Sequence, residues 1–450
     1  MTALAEMPRR AYSHPRHRRE PLPRLLAGIA TGQPADLRHH ERTYGPLDLP
    51  AAAWNRDRAA ARRTAARLTD VVDRSGLTGR GGAGFPTGRK LRSVAASGRP
   101  AVVVANGAEG EPASSKDKLL LSRVPHLVLD GITLAAFAVG ATDAYLAVHG
   151  GNGRLMAKLT GAIRARQVAG IDPVPIELVG INDEYVSSEQ TAVVQHLNGG
   201  PGVPTFTPPR THERGVNGRP TLVNNAETLA HLAMIGRYGD QWFREAGLRD
   251  DPGTTLVTIS GAIRWPGVYE VELGTPIGEA LMRAGGPAER PQAVLIGGYF
   301  GTWLPVGAAW QVPLARTRLR AVGAAMGAGI LVVLPESCCG IAETARVVRY
   351  LADSGAGQCG PCIFGLPALA DVLEDLAFRG GRRDAAERVA TLIPLIEGRG
   401  ACRHPDGATQ LAASAFRAFK HDVYAHDIDG PCFGVSDKPL LPIPGSAGSW

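Results

Sequence analysis

The sequence predicts an α/β domain, followed by a small β-grasp-like module and a C-terminal four-helix bundle. Strand and helix patterns alternate between about residues 60 and 240, which is typical of a largely parallel sheet. Short strands around a Pro-Gly turn follow from residue 253, and helical periodicity dominates from residue 340 onward. The predicted division is a basic, largely irregular arm (1–50), the α/β domain (51–252), the β-grasp module with a connecting strand (253–335), the helical domain (336–425) and a tail (426–450).

In the α/β domain, buried-strand patterns alternate with longer helical ones. The predicted strands are VVVANG (102–107), DAYLAVHG (143–150) and PIELVGI (175–181). The predicted helices are HLVLDGITLAAFAVGA (126–141) with one apolar face, RLMAKLTGAIRARQ (154–167), and SSEQTAVVQHLNG (187–199) with a serine cap. This order of strands and helices implies βαβ units.

The second half of the chain changes from short strands to helices. GTTLVTISGAIRWPGVYEVELGTPIGEALMRAGG, from residue 253, predicts two strands joined at Pro266-Gly267 and a short helix after Thr275. LRAVGAAMGAGILVVLPE predicts a glycine-rich loop that leads into one last strand. The four predicted helices are AETARVVRYLADSG, PALADVLEDLAFRGG, AAERVATLIPLIEG and ATQLAASAFRAFKHDVYAH. We expect the last 20 residues to form a loose tail.

Charge and composition exclude several functional classes. The formal net charge is +7, and residues 9–20 (RRAYSHPRHRRE) carry five arginines, which is typical of a solvated basic arm. Because the basic residues are not interleaved with aromatic ones, a nucleic-acid function is not expected. The longest apolar run, 321–335, is too short and glycine-rich to span a bilayer. No apolar stretch follows the basic N-terminus as it would in a signal peptide, so we expect a reducing, cytoplasmic compartment.

The densest glycine cluster lies in GLTGRGGAGFPTGRK (76–90). Glycines let backbone N–H groups approach a phosphate, and Arg80 and Lys90 bring positive charge to the loop. The G-x-G-x-x-G spacing at 79–84 also matches a dinucleotide fingerprint, but that fingerprint requires a preceding strand, and a polar helix precedes the loop here. The loop is therefore interpreted as a phosphate cradle or, alternatively, as a turn without a ligand.

Two further stretches place amides and carboxylates at the ends of predicted strands. VVVANGAEGEP (102–112) ends a strand in an asparagine and two glutamates, and ligands of open α/β sheets bind at the carboxyl ends of strands. TLVNNAETLAHL (221–232) opens a helix with two adjacent asparagines, of which one suffices as a cap. The second asparagine could face a ligand, whereas the first stretch could also be a polar strand end in water.

Six cysteines in a chain of this length do not indicate a disulfide scaffold and point to metal or redox chemistry. Cys359 and Cys362 form a CGPC motif, and Cys402 follows about forty residues later. A thioredoxin-like dithiol needs a buried strand before the motif, whereas a helix and a loop precede it here. Zinc held by these three cysteines and His404, an iron–sulfur cluster, and a purely structural trio all remain open. The adjacent cysteines at 338–339 are interpreted as core residues.

Taken in order, these stretches resemble the flavin-bearing, NADH-binding subunit of respiratory complex I and the related subunits of NAD-linked hydrogenases and formate dehydrogenases. The family pattern G-L-R-G-R-G-G-A-G-F-P-T-G-x-K is met by GLTGRGGAGFPTGRK, and N-x-x-E-x-E-P by NGAEGEP. Y-x-x-G-E-E-T-A is met by YVSSEQTA, and P-T-x-x-N-N-x-E-T by PTLVNNAET. SGAIRWPGVYEVELGTPIGEAL resembles the family's SLBB-type β-grasp module. The likeness runs from about residue 22 to 425 and implies a Rossmann-like FMN-binding domain and a C-terminal iron–sulfur domain.

The resemblance implies a site for FMN and an adjoining site for a nicotinamide dinucleotide. The glycine-rich backbone and Lys90 would hold the phosphate, while asparagine and glutamate side chains would orient the ribityl chain and the ring. The FMN-binding residues implied by the family are Gly79, Arg80, Gly81, Gly82, Lys90, Asn106, Glu109, Tyr185, Glu189, Asn224, Asn225 and Thr228. Phe85 and Glu111 are implied for NAD(H).

The chain departs from the family pattern mainly where the nicotinamide would bind. The replacements are Ala108 for aspartate, Ser188 for glycine, Gln190 for glutamate, Thr207 for lysine, and Ser93 and Arg210 for aromatic residues. An aromatic pair contributes about 0.5–1.5 kcal/mol beyond its buried area. These losses weaken the expected NADH pocket, whereas most of the FMN cradle is kept.

In the family, a [4Fe–4S] cluster is bound by C-x-x-C-x-x-C and a fourth cysteine about forty residues later. Cys359, Cys362 and Cys402 occupy three of these positions, and Ala356 stands at the first. The resemblance thus favours an iron–sulfur cluster, either [3Fe–4S] or [4Fe–4S] with a substitute fourth ligand. The substitutes considered are Cys432, His404 and water.

The resemblance implies an FMN-dependent subunit that passes electrons from NAD(P)H through FMN to an iron–sulfur cluster and a protein acceptor. The departures support an alternative, a subunit that binds FMN but does not use NADH and exchanges electrons with ferredoxin or a membrane reductase. The nearly intact cradle argues against a non-catalytic scaffold. Expected partners are ferredoxin or other oxidoreductase subunits, which could hold a cytoplasmic chain at the periphery of a membrane complex.

Overall fold

The structure is a computed structural model that describes residues 22–30, 36–47, 58–380 and 383–444. The arginine-rich segment 9–20 lies outside these residues. In the described part, a parallel sheet with helices on both faces is followed by a second, mixed sheet and then by a helical C-terminal region. The α/β class and the order of its parts agree with the sequence-based prediction.

The first sheet has four parallel strands in the order β3-β2-β1-β4. The strands are β1 (Ala101–Asn106), β2 (Ala141–His149), β3 (Ile176–Ile181) and β4 (Thr221–Asn225). Val102, Val103 and Val104 of β1 are fully buried, as expected of a strand covered on both faces. The register pairs Asn106 with Asn225, so the two predicted ligand-facing motifs meet at the carboxyl edge of the sheet.

The helices of this domain pack on the sheet and on one another. They are α1 (Ala27–Ala30), α2 (Leu37–Tyr44), α3 (Arg58–Ser75), α4 (Thr87–Ala95), α5 (Lys116–Arg123), α6 (Pro125–Val139), α7 (Gly153–Val168), α8 (Gln190–Leu197) and α9 (Ala226–Arg244). Every residue of α6 is buried, rather than one face as the sequence suggested, because α6 lies between the sheet and α9. No single described helix is long and apolar enough to cross a membrane; α5 and α6 meet that criterion only as a pair bent by 96°.

Residues 36–47 are ordered against the α/β domain and are not irregular. Asp36 caps α2, and Tyr44 donates a hydrogen bond to the Leu25 carbonyl at 2.7 Å. His40 Nε2 lies 2.6 Å from the buried carboxylate of Asp130, which also pairs with Arg166 at 2.6 Å. The predicted irregular arm is therefore wrong for this part, because buried polar partners from the domain hold the segment in place.

The second sheet has five strands in the order β6-β5-β9-β7-β8. They are β5 (Thr254–Gly261), β6 (Gly267–Glu272), β7 (Pro291–Ile296), β8 (Thr302–Pro305) and β9 (Ile330–Pro335). The short helices beside them are α10 (Ile277–Arg283), α11 (Val306–Ala309) and α12 (Arg316–Ala321). β5 pairs antiparallel with β6 and parallel with β9, so the predicted last strand completes the centre of the same sheet.

The described part of the C-terminal region contains one more α-helix than the sequence predicted. Its helices are α13 (Gly340–Asp353), α14 (Leu366–Glu374), α15 (Ala385–Ile396), α16 (His404–Ala418) and α17 (Lys420–Asp429). π-helical turns flank α14 at Pro361–Gly365 and Asp375–Arg379. The single helix predicted over 408–426 is interrupted at Phe419, whose buried ring packs edge-on against Trp303 at 5.5 Å.

The segment 430–444 is packed against the helical region. The backbone N–H groups of Leu440 and Leu441 donate to Glu343 at 2.9 Å, and Leu441 is 1% exposed. The Tyr299 hydroxyl donates to the Pro442 carbonyl at 2.6 Å. The predicted loose tail is therefore wrong for these residues, since buried acceptors and donors fix their backbone.

A buried cluster of charges joins the two sheets. Lys116 Nζ lies 2.9 Å from Asp117 and 3.1 Å from Glu227. Glu227 also accepts hydrogen bonds from Thr255 at 3.0 Å and from the Leu256 N–H at 2.9 Å, both on β5. Burial alone raises the pKa of Glu227, but Lys116, His231 and Arg80 together outweigh it and bring that pKa to about 2. The carboxylate is thus charged, and it links α5, α9 and the second sheet.

We expect Lys116→Met to lower the free energy of unfolding by about 3–5 kcal/mol, because it removes the cation that lies nearest to two buried carboxylates. Chemical denaturation followed by circular dichroism measures the change. The matched control is Lys118→Met on the same helix, where the side chain is exposed and we expect a change within about 0.5 kcal/mol. A Lys116→Met protein as stable as wild type would contradict this account of the cluster.

Candidate functional site

The glycine-rich loop connects α3 to α4 and is closed by backbone bonds. Gly79 N–H donates to the Phe85 carbonyl and Thr87 N–H to the Leu77 carbonyl, both at 2.9 Å. Gly82 has a φ of +110°, a backbone conformation that favours glycine. Residues 81–83 are exposed. The loop therefore presents an accessible backbone with no Cβ atoms at its glycines, as a phosphate cradle requires.

Arg80 holds the loop in place from beneath. Its N–H donates to the Thr228 hydroxyl at 2.9 Å, and its guanidinium donates to the Thr254 carbonyl at 3.0 Å. The side chain is buried, and its Nε lies 3.9 Å from Glu227. The expectation that Arg80 brings its charge to a phosphate differs from the structure, because the guanidinium contacts the second sheet instead.

Lys90 carries the charge that faces the site. Its Nζ donates to Gln190 Oε1 at 2.9 Å and to the Val223 carbonyl, and both acceptors are neutral. Burial lowers the pKa of Lys90 to about 8. Gln190 stands where the family pattern has a glutamate, so the chain provides amide and carbonyl oxygens where a carboxylate is expected. A largely desolvated ammonium with only neutral partners fits an anionic ligand.

Three asparagines line the carboxyl edge of the first sheet. Asn225 caps α9 by accepting from the Glu227 N–H at 3.0 Å, which confirms that one of the adjacent asparagines is the cap. Asn224 is 5% exposed, and its Nδ2 has no hydrogen-bond partner among the described residues. Asn106 donates to the Ser188 carbonyl at 2.8 Å. The unpaired amide of Asn224 is a buried donor available to a ligand.

The two predicted cradle glutamates cap helices. Glu109 accepts from the Asp117 and Lys118 N–H groups at 3.2 and 3.1 Å, at the start of α5. Glu189 accepts from the Thr191 and Ala192 N–H groups at 2.7 and 3.2 Å and caps α8. The predicted serine cap for this helix is therefore wrong, because the serines form a 3₁₀ turn before it. Both carboxylates are held rigidly at the edge of the site.

Tyr185 and Glu111 connect the cradle to the second sheet and the helical region. The Tyr185 hydroxyl donates to Glu111 at 3.1 Å, and the Tyr299 N–H donates to the same carboxylate at 2.9 Å. Burial raises the pKa of Glu111 to about 7, although these hydrogen bonds oppose the shift. The Tyr185 ring packs edge-on against Phe300 at 5.1 Å and His404 at 5.6 Å.

A cleft of about 210 Å³ adjoins the cradle at the ends of β1 and β2. Glu109 and Gly110 line it together with Lys118, His149 and Asp183. Phe85, predicted on the nicotinamide side, is 47% exposed on the glycine-rich loop. Of the replaced positions, Ser93, Thr207 and Arg210 are exposed, Ser188 and Gln190 are half-buried and Ala108 is buried. The exposed replacements leave no aromatic cover at those positions.

The three predicted cluster thiols come together beside α13 and α16. Cys362 is buried, and Cys359 and Cys402 are half-buried. Burial raises the pKa of Cys362 to about 12, and the neighbouring Cys359 and Cys402 contribute to the rise. The His404 N–H donates to the sulfur of Cys402 at the start of α16, and this bond opposes the rise in the pKa of Cys402 that burial causes. Ala356 lies half-buried in the preceding loop, at the first position of the motif.

The three thiols do not all lie as close together as ligands of one zinc ion do. Tetrahedral zinc with Zn–S bonds of about 2.3 Å places sulfurs about 3.8 Å apart. Among the described residues, the groups whose three ligand atoms lie within 4.8 Å of one another do not include this trio. His404 Nε2 donates to the Leu351 carbonyl at 2.6 Å, so only the lone pair of its buried Nδ1, which has no partner among the described residues, could bind a metal. Cys432 lies with Cys339 and His426 instead, so its prediction as fourth ligand is wrong.

Comparison with known proteins matches each part of the chain. The matching family models are the Nuo51 FMN-binding domain (residues 72–234), the SLBB domain (256–298) and the NADH-ubiquinone oxidoreductase-F iron-sulfur binding region (342–426). The second NADH-quinone oxidoreductase F subunit of Rhizobium meliloti is 31% identical over 388 residues, which are 83% of this chain and 92% of that protein. The chain belongs to the family of NADH-quinone oxidoreductase F subunits.

Another member of this family and a solved structure support the same family assignment. The NADH-quinone oxidoreductase F subunit of Mycobacterium tuberculosis is 31% identical over 397 residues, covering 83% of this chain and 88% of that protein. The crystal structure of an NAD+-reducing [NiFe]-hydrogenase in the H2-reduced state superimposes with a TM-score of 0.75 at 30% identity. That superposition covers 85% of this chain and 66% of the hydrogenase chain. The resemblance proposed from the sequence is therefore confirmed.

The buried residues beneath the cradle escaped the sequence analysis. Lys116 and Asp117 follow the NGAEGEP strand end closely, and Glu227 lies inside the PTLVNNAET motif. Both motifs draw attention to residues that could face a ligand, and these three face the protein interior instead. A lysine and two acidic residues within or close after these motifs are the signal that could have indicated a charge cluster.

We expect FMN binding to depend on pH through Lys90. Below pH 8 the ammonium is charged, whereas above pH 8 each pH unit should weaken FMN binding by up to about tenfold, because the phosphate then requires protonation of the lysine. Titrations followed by flavin fluorescence between pH 7 and 10 measure this slope.

Lys90→Met is the control for that slope. We expect it to bind FMN about 10–100-fold more weakly at pH 7, since a charge-assisted hydrogen bond contributes about 1.5–3 kcal/mol. Its affinity should no longer change with pH. An equal slope in both proteins would assign the titration to another group.

Proposed function

We propose that this chain takes electrons from NAD(P)H on FMN and passes them through an iron–sulfur cluster to a protein acceptor. The contact between the cradle and the cluster thiols is the observation that carries the proposal. Tyr185 packs against His404 at 5.6 Å, and the His404 N–H donates to Cys402. Glu189, at the opposite end of the same 3₁₀ turn from Tyr185, adds its negative charge to the surroundings of Cys402. Side chains beside the proposed FMN site thus contact side chains beside the cluster thiols.

The residues around the loop would bind FMN without large rearrangement. The exposed glycine backbone and Lys90 would hold the phosphate, and Asn224 would donate its free amide to the ribityl chain or ring. Asn106, Glu109 and Glu189 are fixed by hydrogen bonds at the edge of the sheet and would orient the ring. When bound, FMN accepts a hydride and returns the two electrons singly. The other implied contacts are Gly79, Arg80, Gly81, Gly82, Tyr185, Asn225 and Thr228, with Phe85 and Glu111 toward NAD(H).

Cys359, Cys362 and Cys402 would bind the cluster as thiolates. When bound, an iron–sulfur cluster carries one electron at a time. The His404 N–H to Cys402, and the Gly357 N–H to Cys362, stabilise the charged form of each sulfur. Because Ala356 offers no thiol, we propose a [3Fe–4S] cluster or a [4Fe–4S] cluster completed by water or His404.

The finer architecture and the partners belong to the same proposal. We infer an FMN-binding domain at 51–252, an SLBB-type β-grasp module at 253–335 and an iron–sulfur helical domain of bundle type at 336–425, with an arm and a tail at 1–50 and 426–450. The homologues' names as subunits support docking to other oxidoreductase subunits. Ferredoxin is a second candidate acceptor. We propose a cytoplasmic location, at a membrane only through partner subunits.

A second candidate function is electron transfer through FMN without NADH. It is favoured by the exposed positions that carry Ser93, Thr207 and Arg210 in place of two aromatic residues and a lysine. Such a subunit would exchange electrons with ferredoxin or a membrane reductase. Lys90 and Asn224 suit FMN equally well in both candidates, so only the donor separates them.

Mixing the FMN- and cluster-loaded protein with NADH or NADPH in the absence of oxygen tests which of the two functions the chain has. We expect the flavin absorbance to bleach with at least one donor, and the electron paramagnetic resonance signal of the cluster to change with it. In Cys362→Ser the flavin should still bleach, whereas the cluster signal should be lost or altered. No bleaching with either donor would rule out the first function and support the second.

A further inference from the structure

We propose that Cys339, His426 and Cys432 form a zinc site separate from the cluster thiols. Their ligand atoms, two Sγ and the imidazole Nε2, all lie within 4.8 Å of one another. Cys339 and His426 are buried, and Cys432 is half-buried. Two thiolates and an imidazole are ligands that zinc prefers in tetrahedral sites.

The distance between Cys339 and His426 already fits a single zinc ion. Cys339 Sγ lies 3.6 Å from His426 Nε2. Tetrahedral zinc with a Zn–S bond of about 2.3 Å and a Zn–N bond of about 2.0–2.1 Å places these two atoms about 3.5–3.6 Å apart. The Cys432 sulfur lies within 4.8 Å of both atoms, on the half-buried side of the group. All three ligand atoms are therefore close enough together for one ion to bind them.

The orientation of His426 supports a ligand role. Its Nδ1 lies 3.2 Å from the Leu376 carbonyl, so Nδ1 carries the proton and the lone pair of Nε2 faces the two sulfurs. A backbone carbonyl on the far nitrogen is the usual support of a zinc-binding histidine. The Cys432 N–H donates to Nε2 at 3.2 Å. Zinc would replace that hydrogen bond with a coordinate bond.

The N-terminus of α13 supports the charged form of Cys339. The Ala342 N–H donates to Cys339 Sγ at 3.4 Å, and this bond opposes the rise in the pKa of Cys339 that burial causes. Binding of Zn²⁺ releases one proton from each of the two thiols, which leaves a neutral ion–ligand set. Within the described ranges no fourth side chain joins the group, so water would complete the tetrahedron.

Zinc here would fix the C-terminal segment onto the helical region. The three ligands come from the start of α13, from α17 and from the segment that follows α17. The Cys339 N–H already donates to the Gly434 carbonyl at 2.9 Å, so the metal would reinforce an existing contact. Such a site stabilises structure and needs no change in the electron-transfer chemistry.

Zinc content of the holoprotein tests the proposal. The full-length chain, loaded with FMN and its cluster, is incubated with ZnCl₂, desalted and analysed by mass spectrometry for zinc per chain. We expect one zinc in wild type and in Cys338→Ser, the matched control at the neighbouring cysteine. In Cys432→Ser, zinc should fall at least tenfold, and added zinc should no longer raise the melting temperature.

X-ray absorption at the zinc edge identifies the zinc ligands in the wild-type protein. This measurement does not depend on a variant that folds. We expect two sulfurs at about 2.3 Å, one imidazole nitrogen and one further light atom. Three sulfur ligands would place zinc at Cys359, Cys362 and Cys402 and overturn the proposal. Three other results would overturn the proposal as well: no zinc in wild type, full zinc content in Cys432→Ser, or a disulfide between Cys339 and Cys432 in the reduced protein.

Discussion

The buried carboxylate of Glu227 is the interaction on which the rest of the site depends. It lies at the first turn of α9, next to the asparagines that end β4, and it accepts two hydrogen bonds from β5 of the second sheet. Lys116 and Arg80 approach it from α5 and from the glycine-rich loop at 3.1 and 3.9 Å. One negative charge thus holds the loop, the strand edge and the second sheet in a single arrangement. A buried carboxylate with these partners is costly to disturb, which gives the cradle a fixed shape before any ligand binds.

Much of the fold could be predicted from the sequence because its strands and helices have clear hydrophobic periods. β1 and the cap at Asn225 follow from a buried valine run and from helix-capping chemistry. The break at Phe419 and the packing of 430–444 could not be predicted, since both depend on partners distant in sequence, Trp303 and Glu343. The order of segment 36–47 could not be predicted for the same reason, because His40 contacts Asp130 only in the folded chain.

The site could be predicted in part for a related reason. Motif spacing indicates which residues reach the carboxyl edge of the sheet, and the structure places the glycine-rich loop, Asn106 and Asn225 there. Spacing does not indicate which way a long side chain turns, and Arg80 turns toward the second sheet. Nor does it distinguish one cysteine cluster from another. By sequence Cys432 is a candidate for the cluster thiols, whereas the fold brings it to Cys339 and His426.

The chain thus combines a well-formed FMN cradle with an altered nicotinamide side and a cluster motif that lacks one thiol. Gln190 leaves Lys90 with neutral partners, so the site can hold a dianionic phosphate without competition from a carboxylate. The Tyr185 and His404 rings pack edge-on at 5.6 Å, between the glycine-rich loop region and the thiols of the helical region. The loop, the strand edge and the second sheet are all held by contacts of Glu227 or its partners.

The affinity of Glu227→Gln for FMN tests this claim most directly, with Thr255→Val as the control that removes one hydrogen-bond donor from the same carboxylate and keeps its charge. Fluorescence titration should show that Glu227→Gln binds FMN at least tenfold more weakly than wild type while it keeps its circular dichroism spectrum. Thr255→Val should stay within about threefold, since the carboxylate keeps its charge and its contacts with Lys116 and Arg80. Wild-type FMN affinity in Glu227→Gln would contradict the claim that this charge holds the cradle.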